Sequence, residues 1–242
     1  MFKKSLPFIN VLLIIGISLV TFKIFLHQAL IDVTTPRYFL AAVQNSIVFY
    51  CLFVCFSNGK LIPYIKTGMQ SKLTLGRLVT ISLLVGVIQR LVVIVLVQLQ
   101  LQLGIGFEIG SNQAQLAGTI WDIFFTAGVI APLYEEFIFR VLFFTLVLTI
   151  VKLCLRTDGQ TSYNMVYSLK HPICWITLVL SSTIFSLVHG PDLTSFHIYA
   201  LGGLLCGILY LKHGYLAAVL AHFSFNFLSI LVIPDWFFNL FS

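Results

Sequence analysis

"GTIWDIFFTAGVIAPLYEEFIFRVLFFTLVLTIV" occupies residues 118–151, and its reading decides the fold. Its charged residues are Asp122, Glu135, Glu136 and Arg140; nearly everything else in it is apolar. As one straight helix it would span about 50 Å, too long for one upright bilayer crossing and short for two. Pro132 disrupts the turn before it and offers a break. The stretch is therefore expected to be a broken or strongly tilted helix that makes one net crossing.

The rest of the chain supports a membrane setting. Of its 242 residues 59% are hydrophobic and only 9% are charged, with a mean hydropathy of +1.02. A soluble domain carries about 25% charged residues, so this chain cannot cover a water-facing surface. The apolar runs are long and continuous, which excludes the short alternating strands of a barrel. The expected fold class is all-α, a polytopic transmembrane helical bundle of about seven crossings, or eight if residues 118–151 cross twice.

The other expected crossings are Pro7–Leu26, Tyr38–Phe56, Leu78 to about Gln98, Pro172–His189, Thr194–Leu211 and Gly214–Ile233. The third is followed by "VQLQLQLGIG", where helical periodicity is lost and fraying is expected. The basic, then apolar N-terminus reads as a retained anchor rather than a cleaved signal, because the run is long and no small-residue cleavage site follows it. We divide the chain at 112/113, into N-terminal helices with a basic loop (1–112) and a core that carries the polar residues (113–242).

Charge bias orients the bundle. With the N-terminus cytoplasmic, the inner side takes Lys3, Lys4, Lys60, Lys66, Lys72, Arg77, Lys152, Arg156, Lys170 and Lys212. The outer side takes Glu108, Asp192 and Asp235, while Asp32 and Arg37 cancel. That is a positive-inside pattern, and it favours a single crossing for 118–151. The net charge of +6 therefore reports topology in a multi-pass cell-membrane protein and gives no reason to invoke nucleic acid. The five Cys contain no C-x-x-C pair and read as apolar filler. Gly202, Gly203 and Gly207 let helices approach closely, with packing inside the molecule preferred to dimerisation; the oligomeric state is left open.

Ionisable residues at membrane depth are costly and are functional candidates by default. Glu136 and Arg140 are four apart and share a helix face. Glu135 points about 100° away and is left for another task. His189 follows Phe185 by four, and Asn226 follows His222 by four. A carboxylate, two imidazoles and an amide on three helices suit water activation: a general base, a proton-sharing imidazole, and donors for an oxyanion. Plainer readings stand beside this one. Glu136–Arg140 can be a structural clamp, His197 and His213 hydrogen-bonded filler, and Arg90 a snorkelling group or a partner of Asp122. Non-catalytic binding and a transporter with a buried Glu/His relay are the alternatives to catalysis.

"EEFIFR" at 135–140, "FSLVH" at 185–189 and "HFSFN" at 222–226, in that order, resemble the CPBP family, the CAAX prenyl protease and bacteriocin-processing proteins, also called the Abi family. The resemblance covers about residues 118–233. It implies an intramembrane endopeptidase, metallo or glutamate type, that cleaves a membrane-associated peptide or protein, with a role in bacteriocin self-immunity or processing among the expectations. By analogy Glu135 activates water with His189, His222 and Asn226 stabilise the oxyanion, and Glu136 and Arg140 hold the site. One reading makes Glu135, His189 and His222 ligands of Zn2+ or another divalent metal; the other needs no metal, and the two stand equal. The absence of H-E-x-x-H excludes the ordinary zincin arrangement. Val141 stands where the family commonly has glycine. The expected count of crossings suits a short bacterial member.

Overall fold

The structure, a computed structural model, describes residues 71, 73–107 and 124–232. They belong to one compact unit, Thr67–Ser242. The expected crossings at 7–26 and 38–56, the 112/113 boundary and Asp122 lie outside the described residues.

Every regular element described is helical. Helix α1 is Leu75–Gln102. Helix α2 runs on through four consecutive segments: Phe124–Ile130 with π geometry, Ala131–Glu136 with α geometry, Phe137–Leu142 with π geometry and Phe143–Leu155 with α geometry. Then come α3 (Gly159–Tyr167), α4 (Pro172–Val188), α5 (Phe196–His213) and α6 (Tyr215–Val232). Two stretches, Leu75–Gln102 and Ala127–Leu155, are long and apolar enough to cross a membrane. A third joins them if α3 and α4, bent by 59°, form one span. The all-helical class is thus observed, with two or three spans by length and apolarity within the described residues.

Two local expectations are corrected. Helix α1 does not fray at its Gln/Leu repeat but continues to Gln102. Gln and Leu are both good helix formers, and the Gln100 amide donates to the Thr194 carbonyl at 2.8 Å, tying this end down. Nor does the backbone break at Pro132. That residue sits in the first turn of Ala131–Glu136, and the helix passes it by opening into π turns. A proline removes one N–H from the helical ladder, so a carbonyl upstream must find another donor. The Ala127 carbonyl, five residues ahead and hence the π-type acceptor for residue 132, receives the Asn226 side-chain amide at 2.8 Å.

Local chemistry sets the other boundaries. Arg156 ends α2 in the left-handed region, φ 51°. Asp158 caps α3, accepting from the Gln160 and Thr161 amides at 2.9 Å. His171 caps α4 through Nδ1, with Pro172 in the first turn, which fixes the start of that helix where the sequence places it. Asp192 gathers the turn before α5: its Oδ1 accepts from the Thr194 and Ser195 amides and hydroxyls at 2.8–3.0 Å. The Thr194 hydroxyl holds the Asp192 carboxyl below its ordinary range, against the smaller opposing effect of burial.

Helix α6 packs on α1, and α5 packs on both α4 and α6. Close approach needs small residues. A Cβ at Gly86 would strike the Ala221 carbonyl and the Ser224 side chain, and one at Gly203 would lie 3.1 Å from Ser182 Cα. Gly207 is pressed against Leu178. The α5 glycines therefore serve packing within the chain. Leu78, Leu209, Ala217 and Ala221 form a buried cluster between α1, α5 and α6, while Leu84, Ile88, Leu91 and Val95 on α1 face outward, as a lipid-facing surface requires.

Candidate active site

Glu135, Glu136, Arg140, His189 and His222 converge where α2 meets α4, α5 and α6. Arg140 is fully buried. Its Nη1 donates to Ser181 Oγ at 2.7 Å and its Nη2 to the Gly203 carbonyl at 2.8 Å. Ser181 in turn donates to the Phe139 carbonyl at 2.6 Å. One guanidinium thus ties α2 to α4 and α5. Its Nε lies 3.0 Å from Glu136 Oε2, a buried ion pair whose alignment falls short of a hydrogen bond. The clamp read from the four-residue spacing is present in this geometry.

Glu136 has a second partner that spacing alone did not reveal. Its Oε1 lies 2.9 Å from His222 Nδ1. A carboxylate only accepts, so His222 carries a proton on Nδ1; in the neutral ring Nε2 then holds the lone pair. His189 is set the same way. Its Nδ1 lies 2.7 Å from the Phe185 carbonyl, again an obligate acceptor, so its Nε2 also presents a lone pair.

Both lone pairs face one atom. Glu135 Oε2 lies 3.6 Å from His189 Nε2 and 3.8 Å from His222 Nε2. That oxygen is buried and has no hydrogen-bond partner. With both rings neutral, the carboxylate and each imidazole nitrogen are two acceptors without a proton between them, and they repel. The arrangement calls for a guest that donates or is positive: a proton, a water or a cation. Sequence alone left His189 at one end of its helix and His222 well inside another; Glu135, projecting from the middle of α2, reaches both.

Aromatic rings hold this cluster. The Phe185 ring lies 4.5 Å from the His189 ring and 5.8 Å from the His222 ring, and Arg140 Cζ sits 5.7 Å from its centroid. Phe139 meets it edge-on at 5.3 Å. Tyr199 stacks on His189, with centroids 4.9 Å apart.

The remaining candidates separate. Asn226 is turned to the Ala127 carbonyl. His197 is exposed and His213 half-buried, and neither has an ion-pair contact with the cluster. Arg90 lies over the Phe225 ring at 5.7 Å. Sequence reasoning missed Ser181, Tyr199 and Cys206, for which no spacing signal exists. Cys206 is buried filler of a particular kind: its sulfur, a Glu136 oxygen and a His222 nitrogen lie within 4.8 Å of one another.

Two donor sets can therefore be weighed for a metal. Glu136, Cys206 and His222 are close enough, but the Arg140 guanidinium already lies 3.0 Å from Glu136, and a divalent ion there would meet that positive charge. This set fits poorly. Glu135, His189 and His222 offer ordinary zinc ligand types, one unpartnered carboxylate oxygen and two imidazole nitrogens, with each imidazole 3.6 or 3.8 Å from the carboxylate, but their three ligand atoms do not all lie within 4.8 Å of one another.

An all-helical membrane protein with a buried carboxylate–imidazole centre is the class these features define. Residues 117–228 match the family model described as Rce1-like, type II CAAX prenyl endopeptidase Rce1-like. The matched region is somewhat less than half of the chain and contains all six of the predicted site residues. It supports the CPBP family of intramembrane peptidases as the family of this chain. No curated protein and no solved structure matches.

Proposed function

We propose that this chain is an intramembrane endopeptidase that hydrolyses a peptide bond in a membrane-associated peptide through water activated by Glu135. The observation that carries the reading is the convergence of Glu135 Oε2 with two imidazole Nε2 atoms at 3.6 and 3.8 Å. Both gaps exceed a direct hydrogen bond, and a single water can bridge such distances. Water donates one hydrogen to Glu135 and the other to His189. Glu135 takes the first proton as the O–H bond breaks, and the water oxygen bonds to the peptide carbonyl carbon. As the C–N bond breaks, Glu135 returns that proton to the leaving amine.

The developing oxyanion needs donors. Asn226 Nδ2 carries two hydrogens and commits one to Ala127, which leaves the other for this task. For His222 to donate, Nε2 must also carry a proton; Glu136, on its far side, offsets the charge this creates. A zinc-like ion, where the enzyme uses one, would be held by Glu135, His189 and His222 and would polarise bound water. The substrate is proposed to be a membrane-delivered peptide, with bacteriocin self-immunity or processing as its biological setting.

The test uses purified protein in liposomes and a quenched-fluorescence peptide that ends in a prenylated C-a-a-X sequence. Wild type should cleave it, and Glu135→Gln, folded normally, should not. Equal cleavage by the two proteins would sink the proposal. A chelator arm separates the metal and metal-free versions.

A further inference from the structure

We infer that Tyr199 is a positioning residue for His189, its ring fixing the imidazole plane so that Nε2 stays on Glu135. The inference rests on the peptidase reading for its kinetic consequence, but its geometric content stands alone.

His189 is the C-cap of α4, and Gly190 follows it with φ 61°. The helix stops there, so no further turn of its own flanks the imidazole. Two of the ring's restraints come from α4 itself: the Phe185 carbonyl holds Nδ1 at 2.7 Å, and the Phe185 ring lies 4.5 Å away at 45°. The hydrogen bond fixes one atom and leaves the ring free to tilt about it. A flat contact on a ring face removes that freedom, and Tyr199 supplies it, at 4.9 Å and 22° from parallel. Stacked aromatic pairs at this separation attract one another beyond what their burial contributes.

Tyr199 belongs to a different helix, and its placement is built. The Asp192 turn fixes the first residues of α5. Ser186 of α4 donates to the Phe196 carbonyl at 2.8 Å, and Gln100 of α1 donates to the Thr194 carbonyl. Three helices therefore set where the Tyr199 ring lies. A small misplacement of a reacting group can cost about 100-fold in rate, which gives such a frame a functional reason.

The experiment compares wild type, Tyr199→Phe, Tyr199→Leu and Tyr199→Met, with Glu135→Gln as reference. Cleavage of the prenylated C-a-a-X probe is measured alongside 15N-histidine spectra of the same samples. Tyr199→Leu should lower kcat about 10- to 100-fold with KM unchanged, and Tyr199→Phe should restore it, because the stack belongs to the ring. Wild type and Tyr199→Phe should show sharp His189 ring signals, and Leu or Met signals broadened by ring motion. Should Leu fail to fold, Met, unbranched and flexible, takes its place. Sharp ring signals and full kcat in a folded Leu or Met variant overturn the inference. If Glu135→Gln cleaves like wild type, the peptidase reading fails instead, and the spectra still decide the role of Tyr199.

Discussion

His222 donates its Nδ1 proton to Glu136 at 2.9 Å, while Arg140 meets the same carboxylate from the other side at 3.0 Å. The second glutamate of the pair is thus the hinge between a structural clamp and a reactive imidazole. The two neighbouring carboxylates divide the labour: one is sealed among partners, and the other is turned toward the cluster with an oxygen unspent.

That division predicts opposite phenotypes. Removing Glu136 strands a buried guanidinium, and breaking a buried ion pair costs about 3–5 kcal/mol. Glu136→Ala should therefore lower the unfolding free energy in detergent by about that amount and reduce the folded yield. Glu135→Ala removes no made hydrogen bond and should stay within about 1 kcal/mol of wild type. Thermal or denaturant unfolding of the two variants checks the contrast, and equal losses would contradict it.

Catalysis should show the reverse order. Glu135→Gln keeps size and shape but cannot take a proton, so hydrolysis of the prenylated probe should fall by about 100- to 10,000-fold. His189→Gln should be impaired with the fold retained, since the hydrogen bond the imidazole makes through Nδ1 is to its own helix. Mass spectrometry of the products reads both outcomes.

Asn226 and Pro132 should be coupled. Asn226→Ala leaves the Ala127 carbonyl without its side-chain donor, at a cost of about 1–3 kcal/mol. Pro132→Ala restores a backbone N–H five residues downstream of that carbonyl. In the double variant, part of the Asn226→Ala loss should return, giving an interaction energy in a double-mutant cycle. Strict additivity in urea unfolding would break the link drawn between them.

Helix α3 should loosen in acid. The Thr161 hydroxyl, and then the Thr161 amide, hold the exposed Asp158 carboxyl below its ordinary range. A depressed folded-state pKa means that the cap's contribution is present above the unfolded value and is lost as pH falls through the folded one. Amide exchange at Gln160 and Thr161 should accordingly quicken below about pH 4. Asp158→Asn should show no such step.

The helical class was legible because composition removed a soluble fold and the long continuous apolar runs removed a barrel, and the Glu136–Arg140 pair was legible because four-residue spacing marks a helix face. What spacing cannot convey is a partner on another helix. Nothing in "EEFIFR" says that Glu136 will hold His222, since 86 positions separate them. Tyr199 and Ser181 were invisible for the same reason: each acts through a ring or hydroxyl aimed across a helix contact. The reading of Pro132 as a break failed for a different cause. Proline removes one donor but does not dictate how the chain compensates, and here a side chain from α6 supplies the missing hydrogen.

The two π segments of α2 have a consequence for how such sites are found. A π turn holds more residues than an α turn, so each one shifts the angular phase of everything that follows it. Across 124–155 the apolar and polar positions therefore cannot fit a single period of 3.6. In a chain this greasy, hydropathy is saturated and marks nothing. A slip of phase within one uninterrupted helix is a signal that survives saturation, and in this chain its two occurrences bracket Glu135 and Glu136.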